Sequence, residues 1–422
     1  MAGVAVTGVG VVSAGGGSLA KTWEMLLAGR SAAATLDAGT VSDATTSFGC
    51  VVADYPEGDV PAHLARKLDR MTRLAGRAAD QAIESAGLGP GDGVPAHRMG
   101  VVMGVGLGGL QTLETQGEAL SRRGFAGMST FTVVRMMPNA ASAWIAMEHG
   151  WTGPCLTITT ACASGANAIA YGAELIASGK TDVVIAGGAD APVLRTALAG
   201  FGRMGALSRR NEDPGRASRP FDAGRDGFVL AEGAAIVVLE RADHARARGA
   251  RVLGTILGTA TNCDAFDMVV PSASGGGAQR CIEEALASAG LAPEEIGHVN
   301  AHGTGTELND LAESNAIGRV FGHPGPPVTA NKGSLGHAIG AAGAIEAVVA
   351  MLSSAQGIVP PTANCEELDP DVRVDVVRKA PRRIAQGSPA LSNSFGFGGH
   401  NVCLVVAGTD APSWGSVHRA GS

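Results

Sequence analysis

PCLTITTACASGANAIAYGAELIASGKTDVVIAGGAD, residues Pro154 to Asp190, is the stretch of sequence that decides the fold. Leu156 to Thr160 is short, apolar and β-branched, which predicts a buried strand. Ala166 to Ser178 has apolar residues at helical spacing, and the glycine that follows is a typical helix stop signal. Val183 to Ala186 predicts a second buried strand. The order of strand, helix and strand is typical of an α/β protein.

Cys162 lies in the small-residue turn between the first strand and the helix. Unpaired N–H groups and the positive end of the dipole at a helix N-terminus favour a thiolate over a thiol. The small neighbours leave room for a substrate carbonyl, as a nucleophile elbow requires. Cys162 is therefore a candidate nucleophile. The alternative is a small buried hydrophobe, the usual role of a lone cysteine, unless a base or a proton donor lies elsewhere in the chain.

The composition indicates a compact protein with more than one core. The chain has 422 residues, 45% of them hydrophobic and 17% charged, which predicts two domains or one large two-part α/β unit. A net charge of −7 disfavours nucleic acid as a partner. The seven cysteines are scattered without a CxxC pair, which favours a reducing compartment over a disulfide framework or a zinc site.

No segment is typical of secretion or of a membrane. The apolar N-terminus is Gly-rich and its first cation is Lys21, so we expect a β-strand rather than a signal peptide. The most apolar helix candidate, residues 336–352, carries His337 and Glu346, which disfavours a membrane span. We expect a cytoplasmic protein.

The pattern of strand, loop and helix occurs twice along the chain. A polar segment at residues 240–249 separates the two occurrences, and no repeat is visible residue by residue. We predict an N-terminal half at 1–249, a C-terminal half at 250–408, and a disordered tail at 409–422, which is polar and contains Pro and Gly.

One glycine-rich loop resembles a nucleotide-binding signature. Gly104 to Gly109 follows a predicted strand and matches GxGxxG. The acidic residue expected about 20 residues further on is missing, because that region reads FAGMSTFTVV. A tight turn that lines a tunnel is therefore favoured over a dinucleotide site.

Three more small-residue loops follow predicted strands in the second half of the chain. They are NAHGTGT with His302, NKGSLGH with His337, and NSFGFGG with Phe397. A single histidine near a strand end is more often structural than catalytic. Active sites of open α/β sheets gather at such strand-end loops. With Cys162 also present, these loops indicate one active site.

These motifs, together with TACASG around Cys162, occur in an order that resembles the elongating β-ketoacyl-acyl-carrier-protein synthases. That family includes fatty-acid enzymes and the ketosynthase subunits of type II polyketide systems. The resemblance covers nearly the whole chain. It implies a thiolase-like α/β fold of two pseudo-repeated halves in five layers, α-β-α-β-α, and a dimer. It also implies that the chain binds no cofactor or metal of its own, and that phosphopantetheine arrives on an acyl carrier protein.

The resemblance assigns roles to individual residues. Cys162 would take the acyl chain, and His302 and His337, as neutral imidazoles, would stabilise the enolate formed when malonyl thioester loses CO₂. Lys332 and Glu346 would be a polar pair that orients and tunes the second histidine, and the N–H groups of Cys162 and Phe397 would be the oxyanion donors. Phe397 would be a gate, with Gly396, Gly398 and Gly399 as its hinges. Thr304 and Thr306 would contact the phosphopantetheine, and Leu107 and Phe201 would line the acyl tunnel.

The resemblance also implies a basic face for the acidic carrier protein, although the chain is net negative. Each candidate residue has the alternative of being an ordinary solvated charge. The candidates are Arg66, Lys67, Arg70, Arg73, Arg209 and Arg210.

Related functions were weighed against the same residues. A degradative thiolase needs a second catalytic cysteine in a C-terminal loop, where this chain has GFGGHN. An initiating synthase pairs one histidine with an asparagine, and a chain-length factor lacks the nucleophile, whereas Cys162 and both histidines are present here. His400 and Asp267 depart from the pattern of one branch and leave the subgroup open. A homodimer and a heterodimer with a chain-length factor also stay open.

Overall fold

The computed structural model describes residues 3–37, 41, 44–53, 60–89 and 94–409. The predicted tail therefore lies outside the described residues from 410 onward. The β-strands are β1 Val4–Ser13, β2 Ala34–Thr35, β3 Phe48–Gly49, β4 Met99–Gly104, β5 Cys155–Ile158, β6 Val183–Asp190, β7 Gly233–Glu240, β8 Gly254–Cys263, β9 His298–Asn300, β10 Val328–Thr329, β11 Ile358–Val359, β12 Arg382–Arg383, β13 Ala390–Gly396 and β14 His400–Gly408.

Helices alternate with these strands, and short 3₁₀ turns, among them Ala161–Ala163 and Ile339–Ala341, join some of them. The α-helices are α1 Leu19–Leu27, α2 Ala62–Ala65, α3 Arg70–Ala86, α4 Leu110–Arg123, α5 Thr132–Met136, α6 Ala140–His149, α7 Ser164–Ala177, α8 Arg195–Met204, α9 Ala242–Ala247, α10 Gly276–Ala289, α11 Glu307–Phe321, α12 Lys332–Leu335 and α13 Ala342–Gln356.

The strand order repeats between the two halves of the chain. The first half runs β5-β4-β6-β7-β1 and the second β10-β9-β13-β14-β8, so strands at equivalent chain positions occupy equivalent sheet positions. In each half, four strands run in the same direction and one, β7 or β14, runs antiparallel to them. A three-residue antiparallel pairing of β1 with β8 joins the halves into one ten-stranded sheet.

Five layers follow from how the helices pack. α7 and α13 contact each other and strands of both halves, so they form the central layer. α3 and α6 cover the outer face of the first half, and α10 that of the second with α11 packed beside it. The fold class implied by the motifs, an α/β thiolase-like fold of two pseudo-repeated halves in layers α-β-α-β-α, is confirmed.

Small residues allow the central layer to pack closely. A Cβ at Gly165 in α7 would lie 2.6 Å from the carbonyl oxygen of Gly340, and one at Gly343 in α13 would lie 2.5 Å from Ser394 Oγ. Real Cβ atoms essentially never come this close, so any larger residue would push the layers apart. The close backbone packing brings the loops of both halves to one site.

The helix Ile339–Gln356 is long and apolar enough to cross a membrane, with a mean hydropathy of 1.4. However, 94% of that window is buried inside the protein. It is a core helix of the second half, as the charged Glu346 within it indicated.

The strand that precedes Cys162 differs from its prediction. β5 lies at the edge of the sheet, and Leu156 is 41% exposed. The expectation of a buried strand is therefore wrong for this edge. Cys155 and Leu156 are exposed, whereas Ile158 packs partly against the core.

Candidate active site

Cys162 lies in the predicted turn between a strand and a helix. The chain leaves β5, passes through the 3₁₀ turn Ala161–Ala163 and enters α7. Ala161 has a φ of +49°, which is uncommon for a residue with a side chain and stores strain. Ser164 Oγ accepts the N–H of Thr160 at 2.9 Å and donates to the carbonyl of Ala161 at 2.6 Å. The turn is thus held in shape around the cysteine.

The protonation state of Cys162 differs from the expectation. Burial raises the pKa of its thiol to about 12, while Lys332 and a hydrogen bond from the Phe397 N–H act in the opposite direction. The expectation of a thiolate is wrong for the resting site, because the argument from the helix terminus ignored desolvation.

One cavity of about 470 Å³ contains Cys162, His302 and His337 in its lining. The imidazole rings have centroids 5.5 Å apart and meet edge to face. The rim reaches solvent through Met204, Val270 and Leu308, which are 47%, 42% and 54% exposed. The structure therefore brings the three candidate catalytic residues together in a site that opens to the surface.

Both histidines are held in the same tautomer. His337 Nδ1 accepts a hydrogen bond from the Ile339 N–H at 3.3 Å, and His302 Nδ1 accepts one from Lys332 Nζ at 3.3 Å. Burial, with the Lys332 charge adding to it, lowers the pKa of each imidazole well below 6.5. Each ring is therefore neutral and carries its proton on Nε2. Both are preorganised as hydrogen-bond donors, as the resemblance implied.

Lys332 serves a different histidine from the one predicted. Its Nζ donates to His302 Nδ1 and, at 2.7 Å, to the carbonyl oxygen of His302, and it pairs with the buried carboxylate of Glu346. The prediction that Lys332 and Glu346 orient the second histidine, His337, is wrong. Burial raises the pKa of Glu346 to about 7, opposed by Lys332. The pair orients His302, and the Lys332 charge adds to burial in keeping both imidazoles neutral.

The loop after β13 lies against the cysteine. The Phe397 N–H hydrogen-bonds to the Cys162 sulfur. A Cβ at Gly396 would lie 2.5 Å from the Thr160 carbonyl oxygen and 3.2 Å from the Cys162 nitrogen. Gly396 is therefore needed for close approach, and it lies in β13 rather than in a loop. Gly398 and Gly399, at φ +86° and +75°, form the turn itself. A gating movement of Phe397 stays a prediction.

Some, but not all, of the residues predicted to contact the substrate line the cavity. Thr304 and Thr306 line the cavity, with their hydroxyl oxygens 2.9 Å apart. Phe201 lines it too, with its ring centroid 6.3 Å from that of Phe397. Leu107 is 40% exposed and does not line the cavity. Its predicted place in the acyl tunnel is not supported by this arrangement.

The predicted docking residues also differ in their exposure to solvent. Arg66, Lys67 and Arg209 are exposed, and the Arg209 N–H donates at 3.0 Å to Asp226, which lines the cavity. Arg70 instead donates to the buried Glu232 at 2.8 Å, so its prediction as a docking residue is wrong. Arg73 and Arg210 are half-buried.

Two buried carboxylates near the site escaped the sequence analysis. Glu313 accepts the N–H groups of His302 and Gly303, both at 2.8 Å, and burial raises its pKa to about 7. Asp190 accepts backbone N–H groups from two separate loops. Its position was a signal that could have been used, because Asp190 follows the predicted strand Val183 to Ala186, and active sites of open α/β sheets gather beyond strand ends.

Comparisons with known proteins agree with this geometry. A family model described as the N-terminal domain of beta-ketoacyl synthase matches residues 1–245, and the corresponding C-terminal domain model matches residues 253–366. The chain is 38% identical to 3-oxoacyl-[acyl-carrier-protein] synthase 2 of Vibrio cholerae over 95% of this chain and 98% of that protein. It is 40% identical to the protein of the same name from Synechocystis over 95% and 97%. The solved structure of the ishigamide ketosynthase/chain length factor superposes with a TM-score of 0.89 at 36% identity, over 96% of this chain and 99% of that one.

Proposed function

Because the chain belongs to the β-ketoacyl synthase family, as a condensing enzyme of the acyltransferase type, we propose that it elongates an acyl chain by decarboxylative Claisen condensation with malonyl-acyl-carrier protein. One observation carries the proposal. Two neutral imidazoles, each fixed by an acceptor nitrogen, share a cavity with the buried Cys162 thiol.

The first step loads the enzyme. The Cys162 sulfur attacks the thioester carbonyl of the acyl-carrier protein, and the N–H groups of Cys162 and Phe397 receive the developing oxyanion. The bond to the phosphopantetheine sulfur breaks, and the departing sulfur ends with the proton that the Cys162 thiol loses. The thiolate forms transiently, aided by the Lys332 charge and the Phe397 N–H.

The second step makes the carbon–carbon bond. The malonyl thioester oxygen accepts the Nε2–H groups of His302 and His337. As the bond to the carboxylate breaks and CO₂ leaves, its electron pair forms an enolate on that oxygen. The enolate carbon attacks the acyl carbonyl on Cys162, and collapse of the tetrahedral adduct expels the Cys162 thiolate, which regains a proton from solvent. Each imidazole donor should contribute about 10²–10³ in rate.

The cavity supports a role for the substrate's own prosthetic arm. We propose that Thr304 and Thr306 hold the phosphopantetheine of the carrier protein, and that Phe397 with its glycines admits malonate only after acylation. The chemistry then needs no cofactor held by the chain itself.

The carrier protein should dock beside the cavity mouth. Arg209 is exposed and its backbone bonds a residue that lines the cavity, while Arg66 and Lys67 are exposed elsewhere on the surface. An acidic partner would be attracted to such cations. Charge reversal at Arg209 should raise the KM for both acyl- and malonyl-carrier protein while leaving kcat unchanged, and an equal KM would contradict this docking position.

An exposed apolar face supports a two-chain assembly. It comprises the edge strand β5 and the segment 113–147, where Phe125, Met147 and Val133 are 89%, 75% and 60% exposed. Edge strands and large apolar patches are typical of interfaces. The partner is either a second copy or a chain-length factor, as in the ishigamide structure. Native mass spectrometry of the chain alone distinguishes them, because a self-dimer that elongates unaided removes the heterodimer alternative.

All seven cysteines lie in the described part of the chain and all are free thiols. This agrees with the reducing conditions of a cytoplasm, where we place the enzyme.

Incubation with acyl- and malonyl-loaded carrier proteins, followed by mass spectrometry of the products, tests the function. Cys162→Ala should abolish acyl transfer and condensation. His302→Ala should keep acylation and lose condensation, and normal elongation by this variant would contradict the assignment. The lengths of the products also separate a fatty-acid role from a polyketide role.

A further inference from the structure

Asp190 joins two loops that come from different halves of the chain. It ends β6, is 0% exposed, and accepts the N–H groups of Gly106 at 2.7 Å and Gly340 at 2.8 Å on Oδ2. Its Oδ1 accepts the N–H of Leu107 at 3.2 Å. The carboxylate thus holds the glycine loop after β4 against the turn that follows His337.

The turn that Asp190 holds contains a strained residue. Ile339 has a φ of +47°, which is an outlier for a β-branched side chain. Its N–H is the group that donates to His337 Nδ1. A Cβ at Gly106 would lie 2.6 Å from Ile339 Cγ2, so the glycine loop packs directly on it. Such a conformation is costly and persists only when its surroundings enforce it.

We propose that Asp190 is a positioning residue for condensation: by anchoring Gly106 and Gly340, its carboxylate keeps Ile339 in the strained conformation that fixes His337 with Nε2–H toward the substrate. The inference rests on the function proposed above. Charge-assisted hydrogen bonds from backbone N–H groups are among the stronger ones, which suits an anchor under strain.

The Asp190 carboxylate also raises the pKa of the Cys162 thiol and so opposes its ionisation. After burial, the pKa of that thiol is set by Lys332 and the Phe397 N–H, which lower it, and by Asp190 and Glu346, which raise it. The two imidazoles in the cavity are neutral and do not add charge. Removing the Asp190 charge should therefore harm condensation while making the thiol easier to ionise.

Asp190→Asn keeps the shape and removes the charge. Whichever way the amide faces, its NH₂ group points at a backbone N–H, and the turn loses part of its anchor. We expect condensation to fall by about 10- to 100-fold, with acylation of Cys162 unchanged or faster and its alkylation by iodoacetamide shifted to lower pH. Asp182→Asn is the matched control, because Asp182 precedes the same strand at its opposite end and pairs with Arg98 and Arg241. It should leave both half-reactions and the alkylation profile unchanged.

A second substitution tests the strain directly. Glycine adopts φ +47° without penalty, so Asp190→Asn/Ile339→Gly should regain condensation relative to Asp190→Asn alone. If Asp190→Asn lowered condensation only by destabilising the fold, the additional loss of the Ile339 side chain would lower condensation further. If Asp190→Asn does not fold, Asp190→Ser, which is smaller and keeps one acceptor oxygen, takes its place with the same expectation.

The ¹⁵N signals of the His337 ring, assigned by their loss in His337→Ala, test the positioning without any turnover. They should shift in Asp190→Asn and not in Asp182→Asn. Unchanged His337 signals, or equal losses of acylation and condensation, would overturn the proposal. A wild-type enzyme that neither loads nor condenses would instead refute the proposed function, and the His337 signals would still decide the role of Asp190.

Discussion

Gly396→Ala should disable the enzyme by a single methyl group. Its Cβ would lie 2.5 Å from the Thr160 carbonyl oxygen, 3.2 Å from the Cys162 nitrogen and 3.3 Å from the Ala163 nitrogen. A carbon–oxygen contact needs about 3.3 Å, so β13 and the cysteine turn must separate by roughly 0.8 Å. That movement pulls the Phe397 N–H away from the Cys162 sulfur, where it now bonds.

The expected loss of rate follows from the displacement of the Phe397 N–H. One oxyanion donor contributes about 10²–10³ in rate, and both half-reactions pass through an oxyanion at this position. Acylation and condensation should therefore fall together, in contrast to His302→Ala, which spares acylation. The overpacked contact should also destabilise the fold by about 1–3 kcal/mol, which leaves the protein folded at room temperature.

Mass spectrometry of Cys162 acylation over time, with a thermal melt, measures both effects. Gly200→Ala is the matched control, because it adds the same methyl in α8, where nothing lies within 4 Å. It should keep full activity and gain up to about 1 kcal/mol from helix propensity. A Gly396→Ala protein that acylates at the wild-type rate would refute the close-approach reasoning.

Three further changes test other parts of the structure. Lys332→Met leaves Glu346 buried without its cation; it should cost about 3–5 kcal/mol and lose condensation, and Lys332→Met/Glu346→Gln should regain stability in urea melts but not condensation. His298 is wholly buried, and desolvation lowers its pKa to about 3; since the unfolded chain binds this proton near 6.5, stability falls as pH drops below 6.5, by about 2 kcal/mol at pH 5. His298→Phe should remove that part of the pH dependence, and unfolding curves at pH 7 and 5 with an unchanged difference would contradict it. Thr306→Val removes a hydroxyl that lines the cavity 2.9 Å from that of Thr304; it should raise the KM for malonyl-carrier protein about tenfold, and an unchanged KM in steady-state kinetics would count against the role of Thr306.

The elements around Cys162 were predictable because their signals are local. α7 begins within two residues of its expected start, and β6 begins at Val183 as expected and extends past the predicted end. The apolar spacing of α7, the glycine that ends it and the apolar run of β6 can all be recognised without tertiary information. The exposure of β5 does need tertiary information, because the same apolar run occurs in buried central strands and in exposed edge strands.

The error over Lys332 has a clear physical origin. In sequence it lies nearer to His337 than to His302, which is 30 positions away. In the sheet, β9 and β10 are parallel neighbours with Asn300 opposite Thr329. The segments that leave these two strand ends therefore emerge side by side, and they carry His302 and Lys332. Sheet register decides the partner, and no motif records it.

Two other outcomes depend on distant contacts. Arg70 belongs to an apparently basic helix face, but its partner Glu232 lies 162 positions away. The thiol of Cys162 sits at a helix terminus as predicted, yet desolvation outweighs the terminus and raises its pKa to about 12. Sequence patterns report local charge and shape, whereas burial is a property of the whole fold.

Condensation depends on His302 and His337 being neutral donors with their protons on Nε2. Ring ¹⁵N shifts of both residues, followed from pH 8 to pH 5 in the wild-type protein, measure this directly. We expect the Nε2–H tautomer throughout, with no protonation of either ring in that range. Titration of either imidazole near pH 6.5, or an Nδ1–H tautomer, would contradict it.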